Sequence, residues 1–396
     1  MQIHRDHSRL NFRKRRRRSG CLSFVMLLGV IVGVGALSWT WIERRWLARA
    51  PVITVENQYE AARSAFEAGD LDTAIMLLRR HLAANPADGK ASMLAVRALV
   101  YRSYSDYDRG IDREAALQLS ADVFERARDN VDALAAYAFA LQAVGQPGRA
   151  AEMANAALAQ NPSHAFARTA LALAYGVAGN HEVALRESLR AAGEANAENA
   201  VDVLRALSIS YADLGNYSEA ARTVEQATRY HNKLLSLYFE RALYALQLGD
   251  ADRATVAYYE VMVHDPENVK ARLRLCELSG MRREHEAALR YCGEVTTLAP
   301  AWAEGWYQLG REHFLQGNFE DAQASLHRCS SLQVIQNVPI SQRRFECWYL
   351  QGQAAQIRGD CEALVATYNE FRAMAASESV RETWTYPPEG PPGCSE

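Results

Sequence analysis

The sequence predicts an all-α chain: a right-handed superhelical solenoid of about nine helix pairs, preceded by a single transmembrane helix. Three observations predict it. The 22 residues from Cys21 to Ile42 carry no charge. Beyond residue 68, glycines recur at a spacing close to 34 residues. Between them, apolar residues follow a period near 3.6, which is the helical one. The 396 residues exceed one all-α core of usual size, so several domains or a repeat array is expected. With 49% hydrophobic and 23% charged residues, most of the chain is ordinary globular material.

The N-terminal element comes first. Residues 1–20 hold eight Arg or Lys and one acid, about +7, while the whole chain is −3, so the other 376 residues sum to about −10. That acidic body argues against nucleic acid as a partner, because phosphate binding needs clustered positive charge. A helix over residues 21–42 is roughly 33 Å long at ~1.5 Å per residue, enough for a hydrocarbon layer of ~30 Å. The basic run from Arg13 to Arg18 precedes it, and only Arg44 and Arg45 follow, beside Glu43. The positive-inside bias therefore keeps residues 1–20 in the cytoplasm and places everything after Ile42 across a cytoplasmic membrane. Trp39, Trp41 and Trp46 sit where an interfacial aromatic belt belongs. A cleaved signal peptide calls for a shorter apolar core, and Ala48-Arg49-Ala50 before Pro51 fits a cleavage site only loosely. Gly29 and Gly33 form a GxxxG pair, through which two such helices can meet as a homodimer.

The repeat follows. Glycine marks Gly69, Gly145, Gly179, Gly215, Gly249, Gly317 and Gly359, with Arg283 at the missing place in the 68-residue gap from Gly249 to Gly317. Seven residues before each marker stands a small residue: Ala62, Ala138, Ala172, Ser208, Ala242, Cys276, Gly310, Gly352. Five residues after stands alanine, from Ala74 to Ala322, with Leu364 the one departure. Pro86, Pro162, Pro266 and Pro300 close several units. The physical sense is direct. Glycine takes the left-handed conformation that ends the first helix. The small residues let two antiparallel helices approach. Proline stops the second helix. One pair cannot bury its own apolar face, so neighbours stack.

These residues resemble the tetratricopeptide repeat. Trp306, Leu309, Gly310, Gly317, Phe319 and Ala322 make nearly its full signature, and Leu204, Leu207, Tyr211, Gly215, Tyr217, Ala220 and Ala227 a second. The resemblance covers residues 53–375. It is weaker over 89–129, where Tyr101–Gly110 lengthens the inter-helix turn, and an eight-residue excess falls near Gln333–Ile340. Residues 376–396, rich in Pro and Gly, read as a flexible tail.

No motif for chemistry stands out. GxGxxG, P-loop, HExxH, GxSxG and CxxC are missing, and the ten histidines are scattered. We therefore expect no enzyme activity, no cofactor and no metal. Six of the seven cysteines lie in the last third: Cys276, Cys292, Cys329, Cys347, Cys361 and Cys394. An even number in a segment expected outside the cytoplasm points to disulfides. Repeat geometry favours Cys276 with Cys292, on antiparallel helices of one unit, and Cys329 with Cys347, on packed helices of adjacent units. Cys347 and Cys361 fall at opposite ends of one helix, roughly 20 Å apart, too far to bridge. That leaves Cys361 with Cys394. The other reading keeps Cys276, Cys292 and Cys329 as small buried residues.

In the family that the repeat resembles, first helices line a concave groove. Counting back ten, six and three from each marker gives Phe139, Leu173, Ile209, Phe239, Leu243, Leu246, Leu273, Tyr307, Phe314 and Tyr349 as the inward face. Such a stripe suits an apolar peptide or amphipathic helix. Chaperone-docking members carry Lys, Asn and Arg where this chain has Ala135, Phe139, Thr169 and Leu173, so that use is disfavoured. The leading expectation is a membrane-anchored scaffold or assembly factor that binds proteins on the extracytoplasmic face. An organellar import receptor with cytosolic repeats and a non-catalytic subunit of a membrane enzyme complex are the alternatives.

Overall fold

Each marker residue turns the chain back on itself, and helices pair across it. The computed structural model describes residues 57–107, 109–375, 378–386, Pro391 and Cys394. The pairs are α1 Gln58–Glu67 with α2 Leu71–Ala84, α3 Gly89–Ser105 with α4 Gly110–Arg126, and α5 Val131–Ala143 with α6 Pro147–Gln160. Then come α7 Ala165–Val177 with α8 His181–Glu194, α9 Ala200–Asp213 with α10 Tyr217–Tyr230, and α11 Leu235–Gln247 with α12 Ala251–His264. The last are α13 Val269–Met281 with α14 His285–Leu298, α15 Ala303–Leu315 with α16 Phe319–Ile335, and α17 Glu346–Arg358 with α18 Cys361–Met374. A short α19 spans Glu378–Glu382. No strand occurs among the described residues.

The transmembrane span expected at residues 21–42, with Gly29 and Gly33, lies outside the described residues. Among the described residues no helix is long and apolar enough to cross a membrane.

All seven marker glycines have positive φ, between 72° and 81°. Asp70, Asn130, Asn216, Asp250, Asn268 and Asp360 cap the helices that follow them, each accepting the N–H three residues on. The small residues seven before the markers and the residues five after them are buried at the pair interfaces.

Arg283 carries the same turn at φ 60° with a side chain that pays for the left-handed conformation. Arg283→Gly is expected to raise stability by about 0.5–1 kcal/mol. Thermal unfolding is the check, and an unchanged or lower midpoint would count against strain at this turn.

One helix departs from a plain stack. α3 has 17 residues, most of them buried, on all of its faces. A helix apolar all round belongs inside a core. It packs on α5 as the next first helix should, and also against α11, far along the chain. The first solenoid turn therefore closes on itself, and α3 fills its hollow.

Within the tail, residues 378–386 depart from the expected flexibility, while residues 387–390, 392 and 393 lie outside the described residues. The tail's Pro and Gly content reads as flexible, yet Trp384 is 4% exposed and packs with Phe371 and Trp348 in one cluster. An aromatic pair, Trp384 and Tyr386, gives this segment enough apolar surface to dock.

Candidate functional site

The expected groove divides into a filled half and an open half. In the filled half, α3 presents Arg97 and Tyr101 to Asp202 of α9. The Arg97 guanidinium donates to the Asp202 carboxylate at 3.1 Å and pairs with its other oxygen at 2.7 Å. The Tyr101 hydroxyl donates to Asp202 at 2.7 Å. Arg97 also donates to the Glu198 carbonyl. Asp202 is 2% exposed, so this ion pair is buried. Arg205, on the next turn of α9, lies over the Tyr101 and Tyr104 rings and pairs with Glu240 of α11 at 2.6 Å.

The end of α3 is tied further along. Asn268 donates to the Ser105 carbonyl at 2.9 Å, and the Lys270 ammonium donates to the Tyr104 carbonyl. Burial, and next the neighbouring Arg274, pull Lys270 down to about 8. Tyr107 stacks on Trp302 with ring centroids 4.5 Å apart. His231 sits against the Phe66 carbonyl at 2.9 Å, and burial holds its pKa below the ordinary value. The neutral ring donates its N–H to that carbonyl.

Three of the expected groove residues are interior. Phe139 is 1% exposed and packs on Phe166 at 4.9 Å. Leu173 joins the same core. Leu273 is buried with Val269, Val295, Tyr107 and Trp302. The count from the markers assumes an open groove, and here closure covers these positions. Ile209 and Phe239 are half-buried, and the Lys270 ammonium lies 4.2 Å from the Phe239 ring centre.

The other expected residues face an open surface. Leu243 is 50% exposed. Leu246, Tyr307 and Phe314 are half-buried, and Tyr349 is exposed. Arg344 lies over the Tyr307 ring and pairs with Glu304 at 2.7 Å, so this end mixes aromatic faces with paired charges.

A cavity of about 440 Å³ opens beside α3, lined in part by Arg63, Lys90, Arg97, Asp132, Glu194 and Glu198. Its charges are largely spent on one another: Arg63 on Glu67, Asp132 on His164, Glu194 on Arg168. Ser163 and His164 also line it, but the Ser163 hydroxyl donates to Asn161 at 3.2 Å, and the two ring nitrogens of His164 are engaged by Asp132 and the Ala167 N–H. Among the described residues, no group of three His, Cys, Asp or Glu could hold a metal.

The structure brings the expected cysteines together. Cys276 meets Cys292, Cys329 meets Cys347, and Cys361 meets Cys394, with Cα separations of 5.2, 5.9 and 5.3 Å. The first four are fully buried, while Cys361 and Cys394 are half-buried.

The closure residues were not among those expected from the sequence. Their signal was present: Arg97 stands inside an apolar run, Leu94 to Val100, on a helix with no polar face. A charge there needs a buried partner.

Two stretches of the helix pairs match known protein families in sequence. Family models described as Tetratricopeptide repeat match residues 205–272 and 303–333. Over those two stretches the chain carries tetratricopeptide repeats. No curated protein matches it in sequence. Among solved structures it is similar to the C-terminal part of a TPR repeat-containing protein from Cytophaga hutchinsonii, at 14% identity and TM-score 0.51, over 64% of this chain and all of that one. It is also similar to the human IFIT1 dimer with PPP-AAAA, at 14% identity and TM-score 0.50, over 85% of this chain and 94% of that one. At such identities the likeness shows the fold alone. Proteins built from these repeats are generally non-catalytic scaffolds.

Proposed function

We propose that this chain is a membrane-anchored scaffold that binds protein or peptide partners on the extracytoplasmic side, through the open concave face of its C-terminal half. The observation that carries the reading is the half-filled groove. α3 occupies the hollow of the first turn, while Leu243, Leu246, Tyr307, Phe314 and Tyr349 keep exposed or half-exposed apolar surface. An apolar strip among paired charges suits an amphipathic helix or an apolar peptide. The membrane reading rests on the uncharged run at residues 21–42 behind a basic cluster. The three close cysteine pairs support an oxidising compartment. Dimerisation through Gly29 and Gly33 belongs to the same proposal.

Leu243→Glu tests it. With half of the side chain in solvent, the fold should tolerate the change within about 0.5 kcal/mol. An interface anchor should lose about 2 kcal/mol or more of binding. A membrane-impermeant crosslinker added from the outer side should capture partners of the parent chain and far less of them with Leu243→Glu. Equal capture, with an unchanged melting temperature, would move the binding surface elsewhere. No capture of either chain from that side would count against the orientation.

A further inference from the structure

The last repeat is finished by the tail, not by another helix pair. In earlier units, the second helix of each pair packs on the first helix of the next unit. Among the described residues, only the five-residue α19 follows α18. Trp384 takes the place: it lies 5.2 Å from the Phe371 ring, 5.2 Å from Tyr368 and 5.8 Å from Tyr349. Gly352 makes the room, since a Cβ there would stand 2.3 Å from the Trp384 ring. Tyr386 adds a hydroxyl hydrogen bond to Gln356 at 3.2 Å. Two observations set this seat apart from permanent core. The Trp384 indole nitrogen is buried with no hydrogen-bond partner, which a settled core tryptophan usually has. The tether that holds the tail, Cys361 to Cys394, is half-buried, whereas Cys276, Cys292, Cys329 and Cys347 are fully buried.

We propose that the Cys361–Cys394 disulfide is a clip opened by a dithiol, and that its opening frees the Trp384 notch for an aromatic side chain of a partner polypeptide. This rests on the cysteine pairing of the proposed function, not on the groove at Leu243. The exchange balances. One thiolate of the dithiol attacks the Sγ of Cys394, and the Cys361 thiolate leaves and takes a proton. The second thiol of the reagent then displaces Cys394. The pair gains two electrons and two protons, and the dithiol becomes a disulfide. Access favours this pair over the two buried ones.

The test uses the full chain in detergent, treated with graded dithiothreitol, alkylated and mapped by mass. Cys361 and Cys394 should be labelled first, while the four buried cysteines stay protected. Chymotryptic cleavage after Trp384 should accelerate in parallel, on the order of a hundredfold, as the loop constraint is lost. Cys394→Ser should show the same cleavage without dithiol, with Cys276–Cys292 intact as the sign of a folded solenoid. A synthetic peptide of residues 378–386 should bind the reduced Trp384→Ala chain and not the oxidised parent. Labelling of Cys361 and Cys394 without any dithiol overturns the proposal, as does equal labelling of all three pairs. Continued protection of Trp384 in both the reduced chain and Cys394→Ser overturns it too, as does peptide binding to both chains or to neither. Loss of partners in Leu243→Glu bears on the groove and leaves this result untouched.

Discussion

Asp202→Ala should cost about 3–5 kcal/mol, because it leaves the Arg97 guanidinium buried without its partner. Tyr101 loses its acceptor in the same change. The loss should be local first. Hydrogen exchange in α1 and α3 should rise before that of α15 to α18, since a repeat array opens in parts. The reverse order would show that the pair does not hold the closure. A hydrophobic replacement of both partners, Arg97→Met with Asp202→Leu, should recover much of the loss, because no buried charge then remains. A double-mutant cycle over the two sites isolates their coupling. A cost under about 1 kcal/mol for Asp202→Ala would mean that the first turn is closed by α3 burial alone.

Closure has a consequence for binding. A groove that is filled by its own helix leaves a ligand only the cavity of about 440 Å³ beside α3 and the start of α9. The core of the first turn runs without a break from Ala62 to Tyr244. α3 is therefore a built part of the wall, not a lid lying on it. The open stretch begins where that core ends, at Leu243 and Leu246, and continues over Tyr307, Phe314 and Tyr349. Acid should loosen the closure. The folded pKa of His231 lies below its ordinary value, so below about pH 6.5 the unfolded chain binds the extra proton more readily. Stability from this group is present above that range and is lost as pH falls.

The repeat could be read from the sequence because it is set by local needs. A left-handed turn asks for glycine, a close helix pair asks for alanine, and a helix start asks for Asp or Asn; each leaves a residue at a fixed offset. Even Arg283, the exception, falls at the counted place and takes the counted conformation. Closure leaves no such mark. Arg97 and Asp202 stand 105 residues apart, and their meeting depends on how far each unit rotates on the last. That rotation is summed over several interfaces and is not written at any one of them. The longer α3 and its extended turn were visible as a weak repeat, but their purpose lies in the contacts of Tyr104, Ser105 and Asp106 with Asn268 and Lys270. The departure at residues 378–386 has a different cause. Pro and Gly content describes the backbone, and the docking of the tail is decided by Trp384 and Tyr386.

Phe139→Ala should destabilise the chain by about 3–5 kcal/mol, while Leu243→Ala should stay within about 0.5 kcal/mol. Both residues stand six places before a marker glycine, so a simple repeat rule assigns them one role. Their surroundings differ. Phe139 lies in the closed turn, 1% exposed, with its ring on Phe166, and α3 packs against its helix. Removing the ring leaves a hole that the helices on both sides cannot collapse to fill. Leu243 lies where the first turn has ended, with half of its surface in water, so truncation leaves no cavity. Denaturant unfolding of the two variants reads the contrast directly. Equal costs would mean that α3 does not close over the groove, and that the ten-six-three face is one continuous surface. A large cost at Phe139 alone fixes the boundary between wall and binding face at the end of the first turn. Substitutions meant to change partner binding then belong at Leu243, Leu246, Tyr307, Phe314 and Tyr349, since any change at Phe139, Leu173 or Leu273 reports on folding.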